Sequence, residues 1–180
     1  QLAEQKGHSG YLFTLDFPSY FPVLSYCENR NLRQEMYEAY VTRASDKGPN
    51  AGEFDNSALM IEILSLKQEQ AGLLGFANFA EMSLATKMAR DTSQVSDFLS
   101  DLAAKAKPKA VVEFAEICDF ALDKFGAENI EAWDVSFYAE KLKEAKFNVS
   151  EEALKPYFPA NTVLNGMFEV VHRLFDIDVI

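Results

Sequence analysis

Apolar residues that recur at the spacing of an α-helix dominate the stretch 91–126. The first stripe falls at i, i+3, i+4, i+7 and i+11, a pattern that predicts one face of a helix. Its members are Val95, Phe98, Leu99, Leu102 and Ala106. Asp91 offers an N-capping oxygen before the stripe, and Gly126 can end the helical segment. Pro108 should kink or restart the helix, because proline lacks the N–H and its ring crowds the preceding turn.

Helical patterns also cover most of the remaining chain, so the sequence predicts a mostly α protein. Asn29 or Asn31 can cap a helix that ends near Ser45, and another should run from about Ser57 to Gly72 or Gly75. Further helices are expected over about 76–88, 133–147 and 161–175. The last helix has an expected buried stripe of Leu164, Phe168, Val171 and Phe175, with Asn165, Glu169 and His172 facing outward. Phe98, Phe114 and Phe125 are likewise interpreted as core residues.

The first 26 residues are expected to differ from this helical lobe. Tyr11 to Leu15 is a short β-prone run, and Pro18 and Pro22 should prevent a regular helix or ladder through Tyr26. We therefore predict a short N-terminal β-strand and an extended, proline-containing arm over 1–26. Residues 27–180 should form a multi-helix lobe, and their length fits either one domain or one lobe of a larger domain.

Composition and charge exclude several classes of partner. The chain carries 28 acidic and 17 basic residues, a formal net charge of −11, which opposes binding to nucleic acid because that affinity rests on Lys and Arg at phosphates. No apolar run approaches the roughly 18 residues of a membrane span, and the N-terminus is unlike a signal peptide. We expect a cytoplasmic protein without a membrane partner. Cys27 and Cys118 should be reduced and buried.

The sequence offers no candidate catalytic, cofactor-binding or metal-binding residue. It lacks His-Glu-x-x-His and any other zinc-ligand spacing, and its two histidines, His8 and His172, are isolated. Both are expected to be solvated, His172 beside Glu169. The glycine-rich loop 46–53 lacks the residues that a calcium loop or a phosphate loop needs, so it is interpreted as a connector. Ser150 is expected to cap a short helix ahead of Leu154.

Three stretches of the sequence resemble the thimet-type zinc oligopeptidases. The longest runs from Leu15 to Asn56, LDFPSYFPVLSYCENRNLRQEMYEAYVTRASDKGPNAGEFDN, and is similar to the segment that precedes the catalytic domain of that family. From Ala132 the chain reads AWDVSFYAEKLKE, and from Leu154 LKPYFPANTVLNGMFEVVHRLFDI, in the same order as in the family. The family's zinc-binding helix lies further towards the C-terminus than this sequence extends.

The resemblance implies an internal, non-catalytic segment of a zinc metalloendopeptidase. In the full-length parent a zinc-bound water would cleave short peptides, with a glutamate of the zinc helix as general base. The segment would form part of the wall of the peptide channel, pack against the remainder of the catalytic domain and be inactive alone. The resemblance also leaves open that the loop 46–53 borders this channel. Gln1 at the start and the apolar run Ile177 to Ile180 at the end suggest truncation, so apolar surface should be exposed there and at Tyr11 to Tyr26. The alternative is a stand-alone helical module that binds partner proteins without catalysis.

Overall fold

Helices make up all of the regular structure in residues 2–149 and 154–179, the part of the chain that the computed structural model describes. They are α1 Leu2–Gln5, α2 Phe17–Tyr26, α3 Arg30–Val41, α4 Ser57–Leu73, α5 Phe79–Leu84, α6 Thr92–Phe125, α7 Ala132–Phe147, a 3-10 turn Lys155–Tyr157 and α8 Ala160–Phe175. The predicted mostly α class is confirmed. Ser150 and Ile180 lie outside the described residues, so the predictions that involve them stay predictions.

The chain comprises two compact units, Gln1–Ala139 and Glu140–Ile180, and residues of α7 belong to both. The predicted division into an arm over 1–26 and a lobe over 27–180 stays a prediction. Among the described residues, no helix is both long enough and apolar enough to cross a membrane.

The predicted N-terminal β-strand and extended arm are wrong. Residues 11–14 have no regular structure, and Phe17–Tyr26 form α2 despite two prolines. Pro18 lies in the first turn, where a backbone N–H has no acceptor within the helix in any case. Pro22 lies inside the helix and forgoes one hydrogen bond. Burial against α3 offsets that loss, since Tyr20, Val23 and Leu24 of α2 form an apolar cluster with Met36.

Helix α6 continues through Pro108, so the predicted restart is wrong, and the predicted kink stays a prediction. Proline at that position removes the hydrogen bond to the carbonyl of Ala104, yet the helix runs unbroken from Thr92 to Phe125. A long helix tolerates the loss because the turns on both sides keep their own bonds. Its predicted ends are confirmed: the Asp91 side chain accepts from the N–H of Gln94 at 2.7 Å, and Gly126 ends the helix with a φ of +66°.

Several residues that were predicted to be buried are exposed or half-buried. Leu164 and Phe175 of α8 are exposed, and Phe168 and Val171 are half-buried. Phe98, Phe114 and Phe125 of α6 are exposed as well. Helical spacing places the four α8 residues on one face, but it carries no information on whether a partner for that face belongs to the same stretch of chain.

Candidate functional site

A buried ionic cluster connects the first turn of α3 to the first turn of α7. Arg30 and Arg33 lie three residues apart on α3, and Asp134 is the third residue of α7. Asp134 is 0% exposed and Arg33 is 2% exposed, whereas the side chain of Arg30 is 51% exposed. We call these three residues the arginine–aspartate cluster.

Both carboxylate oxygens of Asp134 accept charged hydrogen bonds. Arg33 Nη2 donates to Oδ1 at 2.7 Å. Arg30 binds with two nitrogens, Nη2 to Oδ2 at 2.7 Å and Nε to Oδ2 at 3.0 Å, with Nε also 3.2 Å from Oδ1. This paired geometry is the strong form of an arginine–carboxylate contact.

The cluster also holds the backbone at the starts of both helices. The backbone N–H of Glu131 donates to Asp134 Oδ2 at 3.0 Å, which satisfies one of the amides that the start of α7 leaves without a helical acceptor. Arg33 Nη1 donates to the carbonyls of Cys27 and Glu28 at 2.7 and 3.3 Å. The buried side chain of Arg33 therefore fixes the link between α2 and α3, and it also binds Asp134 of α7.

One aromatic ring lies beside each of the two guanidinium groups. The Arg33 guanidinium lies 4.3 Å from the centre of the Phe137 ring, and that of Arg30 lies 6.0 Å from Trp133. Phe137 is buried with Tyr138 and with Ala121 of α6. The rings provide a cation–π contact and keep water away from Arg33.

The hydrogen bonds determine the ionisation of Asp134. Burial alone would raise the pKa of this carboxyl, but the donors Arg30, Arg33 and Glu131 N–H together lower it below its ordinary value. The same contact raises the pKa of Arg30. Asp134 is therefore ionised at neutral pH, with its oxygens occupied by donors, so it is unsuited to act as a general base or a metal ligand.

A shallow groove of about 400 Å³ lies beside the exposed part of Arg30. Its lining residues are Arg30, Gly126, Ala127, Glu128, Asn129 and Tyr138. The carboxylate of Glu128 in the lining opposes an anionic ligand, and Arg30 already binds Asp134. The cluster is therefore best understood as a rigid connection between helices.

The two histidines do not contribute to this cluster. His8 follows α1 in an exposed turn, where its backbone N–H donates to the carbonyl of Ala3 at 2.8 Å. His172 is exposed on α8, as predicted, and its Nδ1 lies 3.0 Å from a carboxylate oxygen of Asp178. Glu169, the expected neighbour of His172, pairs with Arg173 instead. Among the residues described, no three His, Cys, Asp or Glu side chains form a group that could hold a metal ion.

Cys27 and Cys118 are both free thiols, as predicted, and both are half-buried rather than buried. The loop 46–53 consists of turns and bends, which agrees with its glycine and proline content. Gly48 is required there, because its φ is +85° and an added Cβ would lie 2.0 Å from Thr42 Oγ1. The connector interpretation of this loop stays a prediction.

Sequence reasoning missed the arginine–aspartate cluster, although one signal was present. Two arginines in the first turn of a helix oppose the positive end of the helix dipole. Such an arrangement indicates a carboxylate partner elsewhere in the chain. Nothing in the spacing identifies Asp134 as that partner, since it lies 101 residues from Arg33 in sequence.

Comparison with known proteins identifies a family for this chain. The model of peptidase family M3 matches residues 23–180. Oligopeptidase A of Salmonella typhimurium is 55% identical over 175 residues, and that of Escherichia coli is 54% identical over the same length. Each alignment covers 97% of this chain and 26% of the relative. Dipeptidyl carboxypeptidase of Escherichia coli is 32% identical over 179 residues, 98% of this chain and 26% of that protein.

The chain thus spans about a quarter of the length of the curated relatives it matches. The family match covers the arginine–aspartate cluster and α8, and it includes all of the apolar cluster between α2 and α3 except Tyr20. This agreement confirms the resemblance to the oligopeptidases that the sequence stretches suggested. The chain belongs to peptidase family M3.

Proposed function

We propose that this chain is a non-catalytic helical segment of a zinc metallo-oligopeptidase that hydrolyses short peptides. The observation that carries the proposal is the identity of 55% to an oligopeptidase A across 97% of the chain. Because that relative is about four times as long, the peptidase activity, the peptide substrates and the zinc belong in this proposal to the full-length protein, which we place in the cytoplasm.

The described residues do not fit a zinc site. A catalytic zinc needs three protein ligands and an open position, but the chain has only two histidines, and no three His, Cys, Asp or Glu side chains of the described residues form a group that could hold a metal ion. The carboxylate with the strongest contacts, Asp134, has its oxygens occupied by arginine and backbone donors. We therefore assign the zinc and its general base to polypeptide outside this chain and derive no catalytic step from residues of this chain.

The segment would supply part of the wall of a channel that admits short peptides. A channel wall must hold its shape, since binding geometry is lost when supporting helices shift. The arginine–aspartate cluster supports this role, because it joins α2, α3 and α7 through buried, charged hydrogen bonds. The remainder of the catalytic domain would pack against the exposed apolar side chains of these helices.

The proposal is tested by peptide hydrolysis with the full-length protein encoded by the reading frame around this segment. That protein should cleave a short, internally quenched peptide, lose activity on chelation and regain it with zinc. The chain of 180 residues should show no turnover and no bound zinc at stoichiometry. One zinc per chain that survives mild chelation of the 180-residue protein, or peptide cleavage by it, would show that the segment is not inert.

A stand-alone helical interaction module remains the second candidate, because exposed apolar side chains on α4, α6 and α8 suit a protein partner as well. The two candidates differ in the size of the native polypeptide. Detection in cells of a protein of about 20 kDa, rather than one about four times larger, would favour the module.

A further inference from the structure

The first half of α4 is apolar around most of its circumference. At 100° per residue, the apolar side chains between Leu59 and Leu66 cover an arc of roughly 220°. They are Leu59, Met60, Ile61, Ile63, Leu64 and Leu66. The opposite strip carries only Glu62, Ser65 and, one turn later, Glu69. A helix that packs on one neighbour needs an apolar stripe of only about 100°, so this half of α4 is built for contact on several sides.

The second half of α4 has its partner within the described chain. Helix α5 packs there: Gln68 donates to the carbonyl of Ala77 at 3.0 Å, and the Lys67 ammonium lies 4.7 Å from the centre of the Phe79 ring. Ala71 in the same half is 0% exposed. Helix α5 therefore packs against part of the more polar half, around Ala71, although Leu73 in that half is still 81% exposed.

All of the apolar side chains in the first half of α4 are exposed to solvent. Ile61 is 70% exposed, and the other five apolar side chains between Leu59 and Leu66 are at least half exposed. Contiguous apolar surface of this kind marks a contact site. Because these exposed side chains extend around more than half of the circumference of the helix, a partner that packs on one face of α4 cannot cover them.

We infer that Leu59–Leu66 inserts among helices contributed by the other three quarters of a full-length M3 polypeptide. This inference rests on the proposed function, and the relatives supply the length: 26% of oligopeptidase A corresponds to this chain, and the remainder has no counterpart in it. A second copy of the chain suits the arc less well, since a two-fold contact presents one face of a helix to its partner. The strip of Glu62, Ser65 and Glu69 stays in contact with water, because buried carboxylates without partners are costly.

Cysteine reporters in the full-length protein test the inference. Ile61→Cys and Leu64→Cys probe the apolar arc, and Ser65→Cys on the polar strip is the matched control. Each variant is treated with a maleimide in buffer and in denaturing urea, and peptide mass spectrometry reads each site separately from Cys27 and Cys118. Ile61→Cys and Leu64→Cys should react at least about 100-fold more slowly in buffer than in urea, because local opening limits access. Ser65→Cys should stay within about tenfold of its rate in urea, as expected for an exposed site.

Two outcomes would overturn the inference. Reaction of Ile61→Cys and Leu64→Cys at the rate of Ser65→Cys would show that the arc faces water in the full-length protein. Protection that disappears on tenfold dilution would identify a second copy as the occupant. Peptide hydrolysis by the same full-length protein is measured in parallel, so that failure of the proposed function, no hydrolysis, is distinguished from failure at α4, no protection.

Discussion

Replacement of Asp134 by Asn removes one negative charge from the centre of the arginine–aspartate cluster while the side-chain volume stays nearly constant. Either orientation of the new amide places its NH2 group against a donor. If Nδ2 replaces Oδ1 it opposes Arg33 Nη2, and if it replaces Oδ2 it opposes Arg30 Nη2 and the N–H of Glu131. The substitution therefore removes both the ion pairs and part of the hydrogen bonding.

The magnitude follows from the burial of the two arginines. Arg33 is 2% exposed and has no other carboxylate partner in the described chain, and loss of one partner from a buried pair costs about 3–5 kcal/mol. Arg30 is half exposed and can turn to solvent, so its share is about 0–1 kcal/mol. Arg33 keeps its bonds to the carbonyls of Cys27 and Glu28, which places the expected loss near the lower end, about 3 kcal/mol.

Urea unfolding of the 180-residue chain at pH 7, followed by far-UV circular dichroism, measures the loss. With a slope of about 2 kcal/mol per M, a loss of about 3 kcal/mol lowers the midpoint by about 1.5 M. Asp101→Asn is the matched control, since Asp101 pairs with Lys105 on the exposed surface of α6. That change should stay within about 0.5 kcal/mol.

A second substitution checks the cause. Arg33→Met in the Asp134→Asn background should recover part of the lost stability, because it removes the buried cation that the first change leaves unpaired. Equal midpoints for Asp134→Asn and Asp101→Asn would refute the assignment of Asp134 as a structural anchor. Further loss rather than recovery in the double variant would refute the argument from an unpaired charge.

Three further predictions concern acid stability, aromatic packing and helix ends. The pKa of Asp134 is lowered in the folded chain, so the stability that the ionised carboxylate contributes is present above its unfolded pKa near 3.8. That stability is lost as the pH falls through the lower, folded pKa. Urea unfolding at a series of acid pH values should therefore show the stabilities of the wild type and Asp134→Asn converging below about pH 4. Phe137→Ala should lower the free energy of unfolding by about 3–5 kcal/mol, because Phe137 is 5% exposed. Phe98→Ala should lower it by less than about 1 kcal/mol, because Phe98 is 65% exposed. Equal losses in urea melts would contradict this difference in burial. Gly126→Ala should cost about 1–2 kcal/mol, since its φ is +66° with no atom near an added Cβ, while Gly72→Ala inside α4 should stabilise by about 0.5–1 kcal/mol in the same assay.

The sequence by itself determined where most helices lie and how they end. The caps at Asn29 and Asp91 are confirmed, since each side chain accepts a hydrogen bond from a backbone N–H three residues ahead. Gly126 ends α6 as predicted. These features were readable because a cap or a left-handed glycine acts within one turn of the chain, so the residues that matter are adjacent in sequence.

Only the tertiary structure showed that the helices continue through Pro22 and Pro108. From the sequence, Pro22 and Pro108 predict interruptions of a helix, because proline removes one backbone hydrogen bond and its ring crowds the preceding turn. Both lie inside helices in the structure. For α2 the packing of one face on α3 outweighs that local cost, and packing energy is a property of two elements rather than of one.

Burial and the arginine–aspartate cluster also required the three-dimensional arrangement. The stripe on α8 was recognisable as a face, yet Leu164 and Phe175 are exposed, because the apolar period of a helix does not specify what covers it. Asp134 meets Arg30 and Arg33 across 104 and 101 residues of sequence. Local patterns extend over a few residues, so the pairing of charges at that separation arises only when the fold brings the starts of α3 and α7 together.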